Sequence, residues 1–235
     1  WGAELLHVTP DGYRRLATFA PAALPGGDLA VRAPVRQMAA RCRKYGIPYQ
    51  SSWHKRLNMD EATFSAWGDQ AESGLNAPLT HAAGRLFDAF AVSLGAAGSV
   101  ATYDGQAAIR LEVAARRCPR GAVLPALPFT TAVRDGRLEI DWSEAFRRVL
   151  LPNVPLDIPL WALALHQAVA SAAMVMVKYA FNLCSDRTVA LSGGVFMNEL
   201  LTDALCEGLG AMGATVLIHR QTPPGDGCIA LGQAV

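Results

Sequence analysis

Apolar and polar positions alternate from Glu4 to Ala20 and break at Thr9-Pro10-Asp11-Gly12, which predicts a β-hairpin. The period then lengthens. Ala30 to Tyr45, opened near Asp28, reads as a helix rich in Ala and Arg, and Met59 to Gln70 as a second with Asp60 near its start. Between them, Tyr45 to Asn58 mixes aromatic and basic residues without a clean period and reads as irregular. Pro78 to Leu94 predicts a long helix stopped by Gly95, and Ala107 to Arg116 a further one. Pro119 to Asp141 holds prolines at 119, 125 and 128 and a hairpin signal at Asp135-Gly136, so an exposed excursion is expected there. The run from Val189 reads as a buried strand ending abruptly at Ser192-Gly193-Gly194. Val195 to Met212 then continues as a helix.

Ile158 to Leu183 is long enough to span a bilayer, and Lys178 is its only formally charged residue. His166, Gln167, Ser171 and Asn182 punctuate it, however, and no basic flank or aromatic belt frames it. A helix buried on most sides is the better reading. His166 on that helix reads as a satisfied core or interface histidine, since spacing names no carboxylate partner for it.

Composition narrows the class. The chain has 235 residues, 51% of them hydrophobic, enough for a substantial core in one or two domains. A net charge of +1 gives no electrostatic case for nucleic acid or an anionic membrane. Cys42, Cys118, Cys184, Cys206 and Cys228 are odd in number and contain no Cys-x-x-Cys pair, which points to reduced thiols in a cytoplasmic protein. There are no internal repeats or low-complexity tracts.

Three blocks carry candidate chemistry. In Val189-Ala-Leu-Ser-Gly-Gly-Val-Phe-Met-Asn198, two glycines at a strand-to-helix turn let backbone N–H groups approach an anion, and the helix dipole adds to the attraction. Asn198 lies where its amide can reach a ligand held at that turn. A tight turn needing positive φ explains such a pair equally well. Near the end of the chain, Pro223-Pro224 stops a strand, and Gly225-Asp226-Gly227 is an acidic turn opening a short apolar helix. Asp226 is either an N-cap or an open carboxylate able to bind a metal. In Gly84-Arg-Leu-Phe-Asp88, Arg85 and Asp88 share one helix face.

In this order and spacing, the blocks resemble the HypF family of hydrogenase-maturation carbamoyltransferases. The resemblance covers nearly the whole chain. It rests on Trp1-Gly-Ala-Glu4, Leu24-Pro-Gly-Gly-Asp28, Gly84-Arg-Leu-Phe-Asp88, Tyr103-Asp-Gly-Gln-Ala-Ala108, Leu191-Ser-Gly-Gly-Val-Phe-Met-Asn198 and Pro223-Pro-Gly-Asp-Gly227. The chain looks like the C-terminal part of that family's Kae1-like module. The fold implied is α/β, an actin/Hsp70-like (ASKHA) ATPase lobe with helical insertions. Residues 1–150 would belong to the remainder of the first lobe, and 151–235 would form the C-terminal lobe with the nucleotide and metal loops.

The resemblance implies that Ser192, Gly193, Gly194 and Asn198 hold the adenine nucleotide of ATP or carbamoyl adenylate, with Asp88 on the ribose and Gly105 lining the same pocket. Asp226 would be a metal ligand. Gly225 stands where the family usually has Asn, and Cys228 where it usually has Gly. The metal (iron or zinc) would be completed by a His-x-x-x-His pair and an aspartate upstream, and the five histidines here contain no such pair. The chain is therefore expected to be a fragment, silent alone, that works with the remaining domains of the same polypeptide. The full enzyme would carry carbamoyl from carbamoyl adenylate to the C-terminal cysteine of a HypE-type acceptor. Carbamoylation of a small-molecule hydroxyl and a non-catalytic nucleotide-binding module are the rival readings.

Overall fold

The structure, a computed structural model, describes residues 2–150 and 156–234. Trp1 of the Trp-Gly-Ala-Glu block, and the expected division at residues 150 and 151, lie at or outside the edges of the described residues.

The chain opens with β1 (Glu4–Thr9) and β2 (Gly12–Phe19), an antiparallel hairpin in which Thr9 pairs with Gly12. The short strand β3 (Ala22–Ala23) follows, then α1 (Asp28–Arg32) and α2 (Val35–Tyr45). The single helix expected over Ala30 to Tyr45 is thus two, because Pro34 has no N–H to continue the first ladder and instead caps the second. The stretch expected to be irregular contains α3 (Ser52–Leu57), which seats Trp53 against Tyr49 and Phe64 with ring centroids 6.0 and 5.7 Å away. Next comes α4 (Glu61–Ser73), whose N-cap Asp60 accepts the Thr63 N–H at 2.8 Å. The two-residue strand β4 (Leu79–Thr80) pairs with β3, so the helix expected from Pro78 begins later, as α5 (Ala83–Leu94). Gly95 closes α5 in the left-handed conformation.

After α6 (Gln106–Ala115) come β5 (Thr130–Arg134) and β6 (Arg137–Asp141), joined by Asp135 and Gly136 at φ of 50° and 73°. Two positive φ values give the turn that matches hairpin twist. The hairpin expected at Asp135-Gly136 is present and most of Pro119 to Arg137 is exposed, as expected, but the stretch ends in the sheet. Although β5 is exposed, β6 lies inside a four-stranded sheet of order β1-β2-β6-β5, parallel to β2, with Leu138 and Ile140 buried. Helix α7 (Ser143–Leu150) follows, then the 24-residue α8 (Ile158–Phe181), capped by Asp157.

Helix α8 is the one helix among the described residues long and apolar enough to cross a membrane, and most of that stretch is buried. It packs on α5, α6 and the sheet strands β1, β2 and β6. The remaining elements are β7 (Thr188–Leu191), α9 (Glu199–Ala211), β8 (Thr215–Ile218) and α10 (Ile229–Ala234). Gly208 lets α9 lie close against Met174 of α8. One connected core runs from Ala17 to Leu209. Near its centre Phe90 stacks on Phe146 with centroids 4.0 Å apart. All five cysteines are free, and burial pushes the Cys42 thiol up to about 12.

Candidate functional site: two loops at the carboxyl ends of a parallel strand pair

Strands β7 and β8 are parallel and in register from Thr188 opposite Thr215 to Leu191 opposite Ile218. The next residue on each strand is therefore Ser192 and His219, side by side at the carboxyl ends. The His219 Nε2 lies 3.1 Å from Ser192 Oγ, and its Nδ1 lies 3.3 Å from Thr222 Oγ1. Crevices outside the carboxyl ends of parallel strands are the usual ligand sites of open α/β sheets. The sequence reading gave His219 no role; the parallel register supplies one, because it anchors the start of the glycine loop.

That loop and the Asp226 loop meet. Gly193 donates its N–H to the Pro224 carbonyl at 2.7 Å, and a Cβ on Gly225 would come within 3.5 Å of the Gly194 Cα. Gly193 sits at φ 109°, ψ 153°, a conformation open essentially to glycine alone. Gly194 is different. Its φ is not positive, and a Cβ there would meet nothing within 4 Å. The first glycine therefore serves the turn, while the second faces open space. Gly194 and Val195 begin a single 3-10 turn, Gly194–Met197, and their N–H groups have no acceptor among the described residues. The helix expected from Val195 is this turn followed by α9, which starts at Glu199.

Asn198 separates the turn from α9 and is held internally. Its Oδ1 accepts the Leu201 N–H at 3.1 Å, so the other end of the amide is the donor, 2.9 Å from His166 Nε2. The other ring nitrogen of His166 lies 2.7 Å from the Ala162 carbonyl, which can only accept. His166 is thus neutral, with its proton on Nδ1 and with Nε2 accepting from Asn198. Burial holds its pKa below the ordinary histidine value, although the Ala162 hydrogen bond opposes that shift. The Phe87 ring covers it at 5.0 Å, edge on. The sequence did read a satisfied core histidine here, but gave no sign that its partner is the residue ending the glycine loop.

Asp226 begins a 3-10 turn, Asp226–Cys228, capped by Gly225 with no side-chain hydrogen bond. Its exposed carboxylate has no hydrogen-bond partner among the described residues. The cap role is not the one seen. A free carboxylate on an open loop suits one ligand of a hard or borderline metal. The Cys228 thiol turns away, to the Gly225 carbonyl at 3.1 Å.

Asp88 lies elsewhere. It is 3% exposed, 3.0 Å from an Arg85 nitrogen and 3.5 Å from the Gln37 amide, and the N–H of Ala108 in the first turn of α6 also favours its charge. Burial outweighs these and raises its pKa above the ordinary carboxylate range. Gly105 caps that same α6 at φ 74°. Asp88 and Gly105 thus form one group, and Ser192, Gly193, Gly194, Asn198 and Asp226 another. No hydrogen bond among the described residues joins the two.

Comparison with known proteins shows the family to which the chain belongs. The fold is the mixed α/β, Kae1-like fold of the actin/Hsp70-type class, and the family described as carbamoyltransferase, Kae1-like domain, second subdomain, matches residues 1–233. The chain belongs to this HypF carbamoyltransferase family. It is 34% identical to carbamoyltransferase HypF of Rhodobacter capsulatus, covering 100% of the chain and 29% of the relative. It is 33% identical to carbamoyltransferase HypF2 of Cupriavidus necator, covering 99% and 31%. Among solved structures, full-length HypF in its phosphate- and nucleotide-bound form superposes with a TM-score of 0.85 at 25% identity, over 100% of this chain and 36% of that one. HypF of T. kodakarensis gives 0.73 at 28% identity, over 100% and 31%. The chain therefore spans about a third of the length of these relatives.

Proposed function

We propose that this chain is the nucleotide-loop part of an enzyme that transfers carbamoyl from carbamoyl adenylate to the C-terminal cysteine of a HypE-type acceptor, on the way to the ligands of NiFe hydrogenase. The observation that carries the proposal is the Gly193–Pro224 hydrogen bond. It brings an open glycine turn and a free carboxylate together at the carboxyl ends of β7 and β8. The similarity to a HypF crystallised with phosphate and nucleotide supports it.

In this reading, the unpartnered N–H groups of Gly194 and Val195 bind a phosphate oxygen of the adenylate. Ser192, positioned by His219, and the second amide hydrogen of Asn198 contact the same ligand. Asp88 serves the ribose, and Gly105 lines the pocket. Residues 151–235 form the C-terminal lobe, and residues 1–150 supply the remainder of the first. Asp226 supplies one ligand to a divalent metal, iron or zinc, whose other ligands come from elsewhere in the polypeptide. When bound, that metal would polarise the acyl group. In the transfer, the acceptor thiolate forms an S–C bond to the carbamoyl carbon, and the C–O bond to the phosphate breaks, releasing AMP. The work is cytoplasmic, with thiols kept reduced.

The test uses the full-length protein with ATP, carbamoyl phosphate and a HypE-type acceptor, followed by mass spectrometry of the acceptor. One carbamoyl group is expected on the terminal cysteine, and none when that cysteine is replaced by Ser. Carbamoylation of a small-molecule hydroxyl with no labelling of the acceptor would contradict the proposal.

A further inference from the structure

Away from those loops, three side chains with metal-binding atoms converge. His7 lies on β1, while Cys184 and Asp186 lie in the connection from α8 to β7. One ligand atom from each falls within 4.8 Å of the other two. His7 Nε2 and Asp186 Oδ2 already approach to 2.9 Å across a sequence separation of 179 residues. A surface ion pair accounts for two of these groups. It gives no reason for the third, a thiol held at the same point.

The connecting loop is ordered by its own hydrogen bonds. The N–H groups of Leu183 and Cys184 donate to the Ala180 carbonyl at 2.8 and 3.0 Å. The Arg187 guanidinium donates to the Cys184 and Asp186 carbonyls at 3.0 and 2.9 Å and lies over the Phe181 ring at 4.4 Å. Its charge is therefore engaged with carbonyls and a ring face. The Cys184 thiol donates to the Ala180 carbonyl at 3.2 Å, the one contact that would have to be exchanged for a metal. The Asp186 side chain is 67% exposed and that of His7 26%, so water has access to a fourth position.

We propose that His7, Cys184 and Asp186 form a second metal site that takes zinc. One imidazole, one thiolate, one carboxylate and a water make a tetrahedral set suited to zinc, and the thiolate disfavours magnesium and calcium. On binding, the sulfur–hydrogen bond is replaced by a sulfur–zinc bond and the proton passes to solvent. The site lies at the amino end of β7, whereas the glycine loop leaves its carboxyl end, a strand length of about 13 Å away at about 3.3 Å per residue. It therefore stands apart from the nucleotide loops and independent of how they are read. Its effect would be to strap the N-terminal hairpin to the C-terminal lobe. The native state alone brings the three groups together, so zinc would stabilise the fold by mass action.

The test is to strip the full-length protein with a chelator, dialyse it against zinc chloride, and count zinc by elemental analysis. Cys184→Ser and the double variant His7→Gln/Asp186→Asn should each bind one equivalent per chain fewer than the unaltered protein. Their zinc-induced rise in unfolding temperature should shrink, while their metal-free melting stays near that of the parent. With cobalt in place of zinc, Cys184→Ser should lose one thiolate's share of the charge-transfer absorption. Equal zinc content in all three proteins would reduce the cluster to an ion pair. Loss of zinc in the double variant with an unchanged cobalt spectrum in Cys184→Ser would exclude the thiolate and overturn the three-ligand site.

Discussion

Around α5, nearly every large side chain is held by another: Phe90 stacks on Phe146, Phe146 lies against Tyr45, and Phe87 covers His166. At the carboxyl ends of β7 and β8 the pattern is reversed. Among the described residues, Gly194 faces open space, two backbone N–H groups lack acceptors and the Asp226 carboxylate has no partner, while Met197, Leu217 and Ile229 are exposed. In the first region a residue's type is explained by what it packs against. In the second, several residue types are unexplained by anything among the described residues, and they include those we propose for the nucleotide and metal loops. His166 and Asn198 join the two regions, since one side of the pair is packed core and the other is the end of the glycine loop.

The largest effect should come from the core. Phe90→Ala removes a fully buried ring and should cost about 3–5 kcal/mol of stability in urea unfolding of the full-length protein. A loss below about 1 kcal/mol would show that this core is looser than described.

The junction comes next. His166→Leu leaves the Asn198 amide donor and the Ala162 carbonyl without their partner and should cost about 1–3 kcal/mol. It should also change the pH profile. Because burial lowers the folded-state pKa of His166 below its ordinary value near 6.5, the unfolded chain takes up that proton first. The His166 contribution is therefore complete above about pH 6.5 and declines as the pH falls through the window below it, by up to about 1.4 kcal/mol per pH unit. The Leu variant should lack this part of the acid loss. Parallel stability–pH curves for the two proteins would remove His166 from the account.

The loop carboxylate should have the smallest effect on folding. Asp226→Asn should change stability by less than about 0.5 kcal/mol, because the carboxylate makes no hydrogen bond among the described residues. It should nonetheless lower bound metal and abolish carbamoyl transfer in the full-length enzyme. Unaltered metal content and rate would return Asp226 to an ordinary loop residue.

Much of this contrast was legible in the residues, and the gaps have physical causes. Local chemistry was readable: Thr9 to Gly12 turns a hairpin, Asp60 caps α4, Gly95 ends α5, and Ser192-Gly193-Gly194 ends β7. Pairings between distant segments were not. Burial of β6 depends on Ala17 meeting Leu138, and no local signal in a proline-rich stretch announces that partner. Helix α3 was missed because Trp53 is buried against Tyr49 and Phe64, partners that no local period announces. Around the candidate site, the motif glycines, Asn198 and Asp226 were singled out by pattern, and the Gly193–Pro224 hydrogen bond joins their two loops. The pattern could not separate Gly193, fixed by its φ, from Gly194, which no packing requires. Nor could it show that the Asn198 amide is held by His166, because that contact spans 32 residues and two helices.

The central claim is that Gly194 is kept small for a ligand. Nucleotide titration of full-length Gly194→Val beside the unaltered protein tests it most directly, with a thermal melt of each. The position has a permissive φ and open space around it, so the melts should coincide within a few degrees. Nucleotide affinity should fall at least tenfold as the isopropyl group occupies the place of a phosphate oxygen, and transfer should fall with it. Full affinity with an intact melt would contradict the account and leave Ser192-Gly193-Gly194 as a turn alone.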